Sequence, residues 1–211
     1  MKRFQMITEA DARVLEPGTT IVLVAGGHIT PLAQDTLNAR RIAVTSEGAT
    51  EDASSLAPRA DIRTVAIAGD HTSLALKRAI IAHLRGRGVA VHDLGTTTSD
   101  PVDYPDTASA AALAVARGEA DAAIVIDGSG LGSTIAANKI RGARAAMCLN
   151  ETLARYARQH NGANVLALGS TLVTAEETLP IVDTFLATPM REPRYIRRLA
   201  KIRELETRPR T

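Results

Sequence analysis

From residue 63 onward, short apolar runs alternate with longer stretches of helical period. Residues 64–68, 89–93, 122–126, 143–149 and 165–168 are compact runs dominated by Val, Ile, Leu and Ala. Bounded by Gly, Asn and Asp, such runs predict buried strands. Between them, residues 72–87, 104–117, 133–139, 151–160 and 175–187 carry apolar positions at helical spacing, and 194–206 form a last amphipathic stretch. Five β–α repeats with short connections predict an α/β fold. Its core is a doubly wound, Rossmann-like five-stranded parallel sheet with helices on both faces. In such sheets ligands bind beyond the carboxyl ends of the strands. The polar residues at those ends therefore carry the chemistry.

Residues 1–45 have a shorter rhythm of their own. Thr8-Glu9-Ala10-Asp11 is a capping-box-like start, with Asp in place of Glu. Ile21-Val22-Leu23-Val24 predicts a strand, broken by Gly26-Gly27. Thr30-Pro31 opens a helix, with Thr as N-cap and Pro in the first turn, and Ile42-Ala43-Val44 predicts a second strand. The unit reads as a small β-α-β extension. Residues 46–62 are small, polar and acidic and read as a linker. The main domain spans 63–211.

The densest chemistry lies at the end of the 122–126 strand, in Asp127-Gly128-Ser129-Gly130-Leu131-Gly132-Ser133. Three alternating glycines allow positive φ and close backbone approach. A turn of this kind leading into a helix presents several N–H groups together, able to hold an anion or an oxyanion forming in a reaction. Its spacing is neither the dinucleotide fingerprint nor an ATP-type phosphate loop. Asp127 stands at its entrance, where a carboxylate beside an oxyanion cradle suits proton abstraction next to a carbonyl. Partial burial there is expected to raise its pKa.

Composition narrows the partners. Aromatics make up 2% of the 211 residues and the net charge is only +2, which argues against nucleic acid. One cysteine, Cys148, excludes an internal disulfide and a cysteine metal cluster. No apolar run approaches a membrane span and the N-terminus has no signal-peptide pattern, so a cytoplasmic protein is expected.

The strand ends supply Gly69-Asp70-His71, Asp103-Tyr104-Pro105-Asp106 and the glycine turn. Gln159-His160-Asn161 precedes the last strand, and Arg194, Arg197 and Arg198 lie on the last helix. Read together on one sheet edge, they suit an anionic, hydroxyl-rich substrate and proton transfer. Here the resemblance becomes specific. Gly69-Asp70-His71, Val102-Asp103-Tyr104-Pro105, Gly128-Ser129-Gly130-Leu131-Gly132, Ile135-Ala136-Ala137-Asn138-Lys139, Gln159-His160-Asn161, the Asn164–Gly169 run and Ile181-Val182-Asp183 occur in one order. Residues 63–206 resemble the ribose-5-phosphate isomerase B family and its galactose-6-phosphate isomerase relatives.

The resemblance implies aldose–ketose isomerisation of a sugar phosphate through an enediolate, without metal or organic cofactor. It also implies a homodimer, or a dimer of dimers, with shared active sites. By matching position, His160 assists ring opening, and Asp70 and His71 contact ring hydroxyls and the phosphate end. Tyr104 lines the pocket. The turn of Gly128, Ser129, Gly130, Leu131, Gly132 and Ser133 steadies the enediolate, with Asn161 alongside. Arg194 and Arg198 grip the phosphate of the partner subunit's substrate, and Asp127 moves the proton.

The chain departs from the family in three respects. The base is commonly a cysteine where Asp127 stands, and one branch uses a glutamate where Ser133 stands. Thr171 replaces a usual arginine, and Tyr195 a usual histidine. The substrate is therefore open between ribose 5-phosphate and another C4 or C6 aldose phosphate. A non-catalytic sugar-phosphate-binding or scaffold protein is the alternative. Ile7-Thr8-Glu9-Ala10-Asp11 and Ile29-Thr30-Pro31-Leu32-Ala33 resemble pieces of bacterial microcompartment-associated proteins. That resemblance implies shell-protein partners for residues 1–45, against a plain structural decoration.

Overall fold

The computed structural model describes residues 2–46, 56–58 and 61–207, and the chain divides into two compact units, 1–54 and 55–211. Most of the segment expected as a linker lies outside the described residues.

The first unit is a three-stranded parallel sheet, β1 (Arg3–Ile7), β2 (Thr20–Ile29) and β3 (Ala43–Ser46), in the order β1-β2-β3. Helix α1 (Glu9–Val14) starts at the Thr8–Asp11 capping box, and α2 (Pro31–Ala39) starts at an N-cap on Thr30. Strand β1 was not expected, because Phe4, Met6 and Ile7 form no compact apolar run of the kind that marks the other strands. Nor does Gly26-Gly27 end β2. The strand continues to Ile29, but the pairing slips: Phe4 faces Leu23 while Met6 faces His28. A Cβ on Gly27 would lie 2.9 Å from the Gln5 carbonyl oxygen. The glycine thus allows a bulge where a break was expected. Ile7, Ala12, Leu15, Ile21, Leu23, Ala33, Leu37 and Ile42 form this unit's own core.

The second unit holds β4 (Thr64–Gly69), β5 (Ala90–Asp93), β6 (Ala122–Asp127), β7 (Ala145–Met147) and β8 (Val165–Gly169). All pair in parallel in the order β5-β4-β6-β8-β7. Its helices are α3 (Leu74–Gly86), α4 (Tyr104–Ala116), α5 (Leu131–Ala137), α6 (Glu151–Asn161), α7 (Ala175–Ala187) and α8 (Pro193–Thr207). The doubly wound expectation holds. Chain connections leave β4 and β6, neighbours at the centre, in opposite directions, which opens a crevice at their carboxyl ends.

Alternation along the central strands sorts residues by size. Val65, Ile67, Ile124, Ile126, Leu166 and Leu168 pack with residues of α3, α6 and α7. Ala66, Ala68, Ala123, Val125, Val165 and Ala167 pack with the alanines of α4 and Ala137 of α5. Small side chains on both sides let α4 and α5 approach the sheet closely, so α5 and the turn before it sit directly on the ends of β6 and β8. The scarcity of aromatics is the compositional trace of this Ala-on-Ala face.

Candidate functional site

At the carboxyl end of the sheet, backbone meets backbone. A Cβ on Gly95 would lie 2.4 Å from the Gly69 nitrogen, and one on Gly169 would lie 2.6 Å from the Ser129 carbonyl oxygen. Gly130 has φ +79°, and a Cβ there would lie 2.9 Å from the Leu168 carbonyl carbon. Only glycine meets both demands at position 130.

Asp127, the last residue of β6, is buried. Its Oδ1 accepts the N–H groups of Ser129 (2.8 Å) and Gly130, and its Oδ2 accepts that of Ser133 at 2.6 Å. The Leu131 N–H goes to Ser129 Oγ at 3.3 Å. Of the amides at 129–132, only that of Gly132 is taken by neither side chain. The expected cradle is therefore largely filled from within. Burial pushes the Asp127 carboxyl up. The hydrogen bonds from Ser133, Gly130 and Ser129 outweigh that push, and its pKa lies below the ordinary carboxylate value. This corrects the expected upward shift: burial acts, but the turn's own donors act more strongly. Ser133 Oγ is buried beside this carboxylate without a well-formed hydrogen bond.

The turn is also tied from β8. Thr171 donates both its N–H (3.0 Å) and its Oγ1–H (2.6 Å) to the Gly128 carbonyl, and the Ser170 N–H goes to the Asp127 carbonyl at 2.8 Å. Thr171 thus braces the turn where the usual arginine would reach for phosphate.

Asp70 directly follows the neighbouring strand β4, and its N–H donates to the Ile126 carbonyl at 3.1 Å. Its Oδ1 caps the short 3-10 turn His71–Ser73, accepting the Thr72 N–H (2.9 Å) and Oγ1–H (2.6 Å). Nδ1 of His71 accepts the Val102 N–H at 3.3 Å, so the neutral ring carries its proton on Nε2. Tyr104 starts α4, and a Cβ on Gly132 would lie 2.6 Å from its ring, so the ring lies flush on the glycine turn. Beneath this group, Lys77 is buried, donating to Asp93 Oδ1 at 2.6 Å and to the Thr96 carbonyl at 2.7 Å. Lys77 had escaped notice. Its signal was a lysine in register with the buried Ile80, Ile81 and Leu84 of α3.

The remaining expected residues stand elsewhere. His160 and Asn161 form the last turn of α6, just before β8 begins at Val165, whereas Asp127 pairs with Gly169 at its far end. Roughly 13 Å of strand separates those two ends. The expectation of a single cluster on one sheet edge fails within one chain. A crossover helix runs antiparallel to its strands, so its last turn lies at their amino ends.

A ladder of rings and cations forms there instead. His160 stacks on Tyr156 (centroids 4.6 Å, 19°) and meets Tyr195 at 4.6 Å. The Arg194 and Arg198 guanidinium carbons lie 4.7 and 5.7 Å from the Tyr195 ring centre, and Arg194 Nη2 donates to the Tyr195 hydroxyl at 3.1 Å. Tyr156 was not singled out from sequence, although its i,i+4 spacing to His160 was readable. The Asn161 amide donates to the Tyr156 carbonyl at 3.0 Å and ties off the helix end. Cys148 is buried, with burial pushing its thiol up to about 12, which fits a core role. Among the described residues, no three His, Cys, Asp or Glu side chains gather as a metal site, and no helix is long and apolar enough to cross a membrane.

The ribose/galactose isomerase family model matches residues 65–202, which takes in both groups. The chain belongs to that family. It is 45% identical to ribose-5-phosphate isomerase B of Escherichia coli K12 over 147 residues, covering 70% of this chain and 99% of that protein. A Clostridium thermocellum ribose-5-phosphate isomerase B structure superposes with a TM-score of 0.67 at 47% identity, covering 68% of this chain and 97% of that one. A Mycoplasma genitalium ribose-5-phosphate isomerase B, solved with bound ribulose-5-phosphate, gives 0.66 at 41% identity, covering 69% and 97%. In this ribose/galactose isomerase, residues 2–46 fall outside the matched stretch.

Proposed function

We propose that this protein isomerises an aldose phosphate to a ketose phosphate, with ribose 5-phosphate and ribulose 5-phosphate as the pair, moving a proton between C1 and C2 through an enediolate. The observation that carries this reading is the joint presence of Asp70-His71 and the braced glycine turn at the switch point of a sheet. Its 41%-identical relative was solved with ribulose-5-phosphate. The groups at this end able to handle a proton are Asp70, His71 and Asp127. Tyr104 walls the site, and the turn of Gly128, Ser129, Gly130, Leu131, Gly132 and Ser133 receives the reacting carbons.

In this reading the substrate's other needs are met by a second copy of the chain. The amino-end group of one copy, His160 with Asn161, Arg194 and Arg198, faces the carboxyl-end group of the other. There His160 assists ring opening and the two guanidiniums hold the phosphate, a job suited to planar forks. Exposed apolar side chains support such a homodimer. Leu131 and Ile135 adjoin the turn, and Leu153 and Tyr156 adjoin His160. A pentose phosphate route is the proposed setting. For residues 1–45, the separate core favours a self-contained appendage. Address to microcompartment shell proteins is the reading to test by fusion to a reporter in cells that make such shells.

A coupled assay with ribose 5-phosphate tests the activity, and a panel of C4 to C6 aldose phosphates tests the substrate. Turnover of another sugar alone would move the assignment within the family. Binding without turnover of any would leave the scaffold reading.

A further inference from the structure

The family's base position is occupied here by a carboxylate that has no free oxygen. Asp127 Oδ1 holds the N–H groups of Ser129 and Gly130, and Oδ2 holds that of Ser133. The three donors span the whole turn, from its second residue to the first turn of α5. Its entrance carbonyls are fixed as well: Asp127 O by Ser170 N–H, and Gly128 O by Thr171. A carboxylate that abstracts a carbon-bound proton must offer a lone pair to the substrate. Here both oxygens already accept buried amides, and those bonds favour the ionised carboxylate, so taking up a proton would weaken them and Asp127 is a poor base.

Asp70 differs. It sits at the end of the adjacent strand, beside Asp127, since Gly69 pairs with Ile126. Both hydrogen bonds from Thr72 fall on Oδ1, leaving Oδ2 outside the cap. His71 follows it directly, with Nε2–H turned away from the Val102 amide.

We infer that Asp127 is a positioning residue, an internal ligand that sets the shape of the glycine turn, and that Asp70 carries the proton between C1 and C2. This rests on the isomerase reading above and assigns roles within it. It explains how an acid can stand where the family commonly has a thiol. The thiol's place is filled by a group serving the turn, and the chemistry moves one strand over.

The experiment begins with the full-length wild type and ribose 5-phosphate. Absence of turnover there and across the panel of C4 to C6 aldose phosphates would sink the isomerase reading itself, separately from the assignment. With activity in hand, Asp127→Asn and Asp70→Asn are compared in three measurements. These are exchange of the C2 hydrogen with solvent deuterium, affinity for a planar phosphorylated hydroxamate that mimics the enediolate, and affinity for inorganic phosphate. In Asp127→Asn, turnover and hydroxamate affinity fall together, by roughly ten- to hundred-fold, while phosphate affinity holds. In Asp70→Asn, exchange falls by about 10³-fold or more and hydroxamate affinity changes little.

The reverse pattern, with exchange lost and hydroxamate affinity kept in Asp127→Asn, overturns the assignment. Asp127→Cys gives a second check. A thiol cannot hold three amides, so hydroxamate affinity falls again. Wild-type turnover in this variant makes Asp127 a base. Should both variants at 127 fail to fold, 13C NMR of the wild-type aspartate carboxyls decides. An Asp127 resonance that stays that of an ionised carboxylate when the hydroxamate binds supports the anchor, and one that moves to the protonated position refutes it.

Discussion

The two ends of β8 hold two polar groups of opposite character. At the carboxyl end, Asp127, Asp70, Thr72 and Thr171 satisfy one another's neighbours, side chain to backbone, around glycines that admit no Cβ. At the amino end, His160, Tyr156, Tyr195, Arg194 and Arg198 are held by ring stacking and cation–π contact on an exposed helix pair. One end is pre-shaped by its own chain. The other presents donors and cations outward with little to receive them. In the proposed dimer, the preorganised cradle of one copy meets the outward-facing anion grip of the other. The contrast itself therefore motivates the dimer reading.

The sharpest way to break that comparison is complementation. Asp70→Ala and His160→Ala are each expected to lower turnover by roughly 10²–10⁴. Mixed after unfolding and refolding, the two inactive chains should recover roughly a quarter of wild-type activity, because half the dimers are hybrid and each carries one intact site. No recovery from well-folded mixed dimers would place both groups in service of the same chain.

Next comes the grip. Arg194→Ala and Arg198→Ala each remove a charge-assisted contact worth about 1.5–3 kcal/mol. The Michaelis constant should rise roughly ten- to hundred-fold, with phosphate affinity falling in parallel. Unchanged values would make this face a solvated surface. The cradle answers differently. Gly130→Ala forces a Cβ into backbone at positive φ, a strain of about 1–3 kcal/mol. Its melting temperature should drop by several degrees, whereas the arginine variants should melt like the wild type.

Acid separates the two ends again. The folded pKa of Asp127 lies below the ordinary carboxylate value. Its contribution to stability is thus complete above the unfolded pKa of about 3.9 and is lost as pH falls through the lower folded value. Asp127→Asn should show a flatter loss of stability below about pH 4 than the wild type. Equal slopes would deny Asp127 its anchoring bonds.

The sequence was most legible where physics is local. Apolar runs marked the five strands of the large sheet, and Thr8 and Thr30 cap helices by side-chain bonds as their chemistry suggests. Strand β1 escaped because its burial depends on a partner strand thirteen or more residues away. The glycine turn was read as a cradle from composition, but its inside was not legible. Whether Asp127 faces a substrate or its own amides depends on χ angles that spacing does not encode. The split of His160 from Asp127 was legible in principle, since a helix between parallel strands must run backwards. The family likeness implied active sites shared by two copies, but which end of the sheet holds His160 follows only from the direction of α6.

The smallest expected effect comes from removing the first unit. Both polar groups lie after residue 63, and the family match begins at residue 65. Residues 1–54 have their own core, built on Ile7, Leu15, Ile21, Leu23 and Leu37, and the large sheet draws its two cores from later residues only. A chain beginning at Asp61 should therefore fold, form dimers and turn over substrate within about two-fold of the full-length protein. The edge strands of the large sheet are its least covered elements, with β5 mostly exposed and β7 half-buried. Exposed edges are where an appendage would matter. Loss of solubility or of the dimer on truncation would show that residues 1–54 cover surface the large unit needs. Full activity in a shortened, dimeric protein would free the first unit for a task outside the reaction.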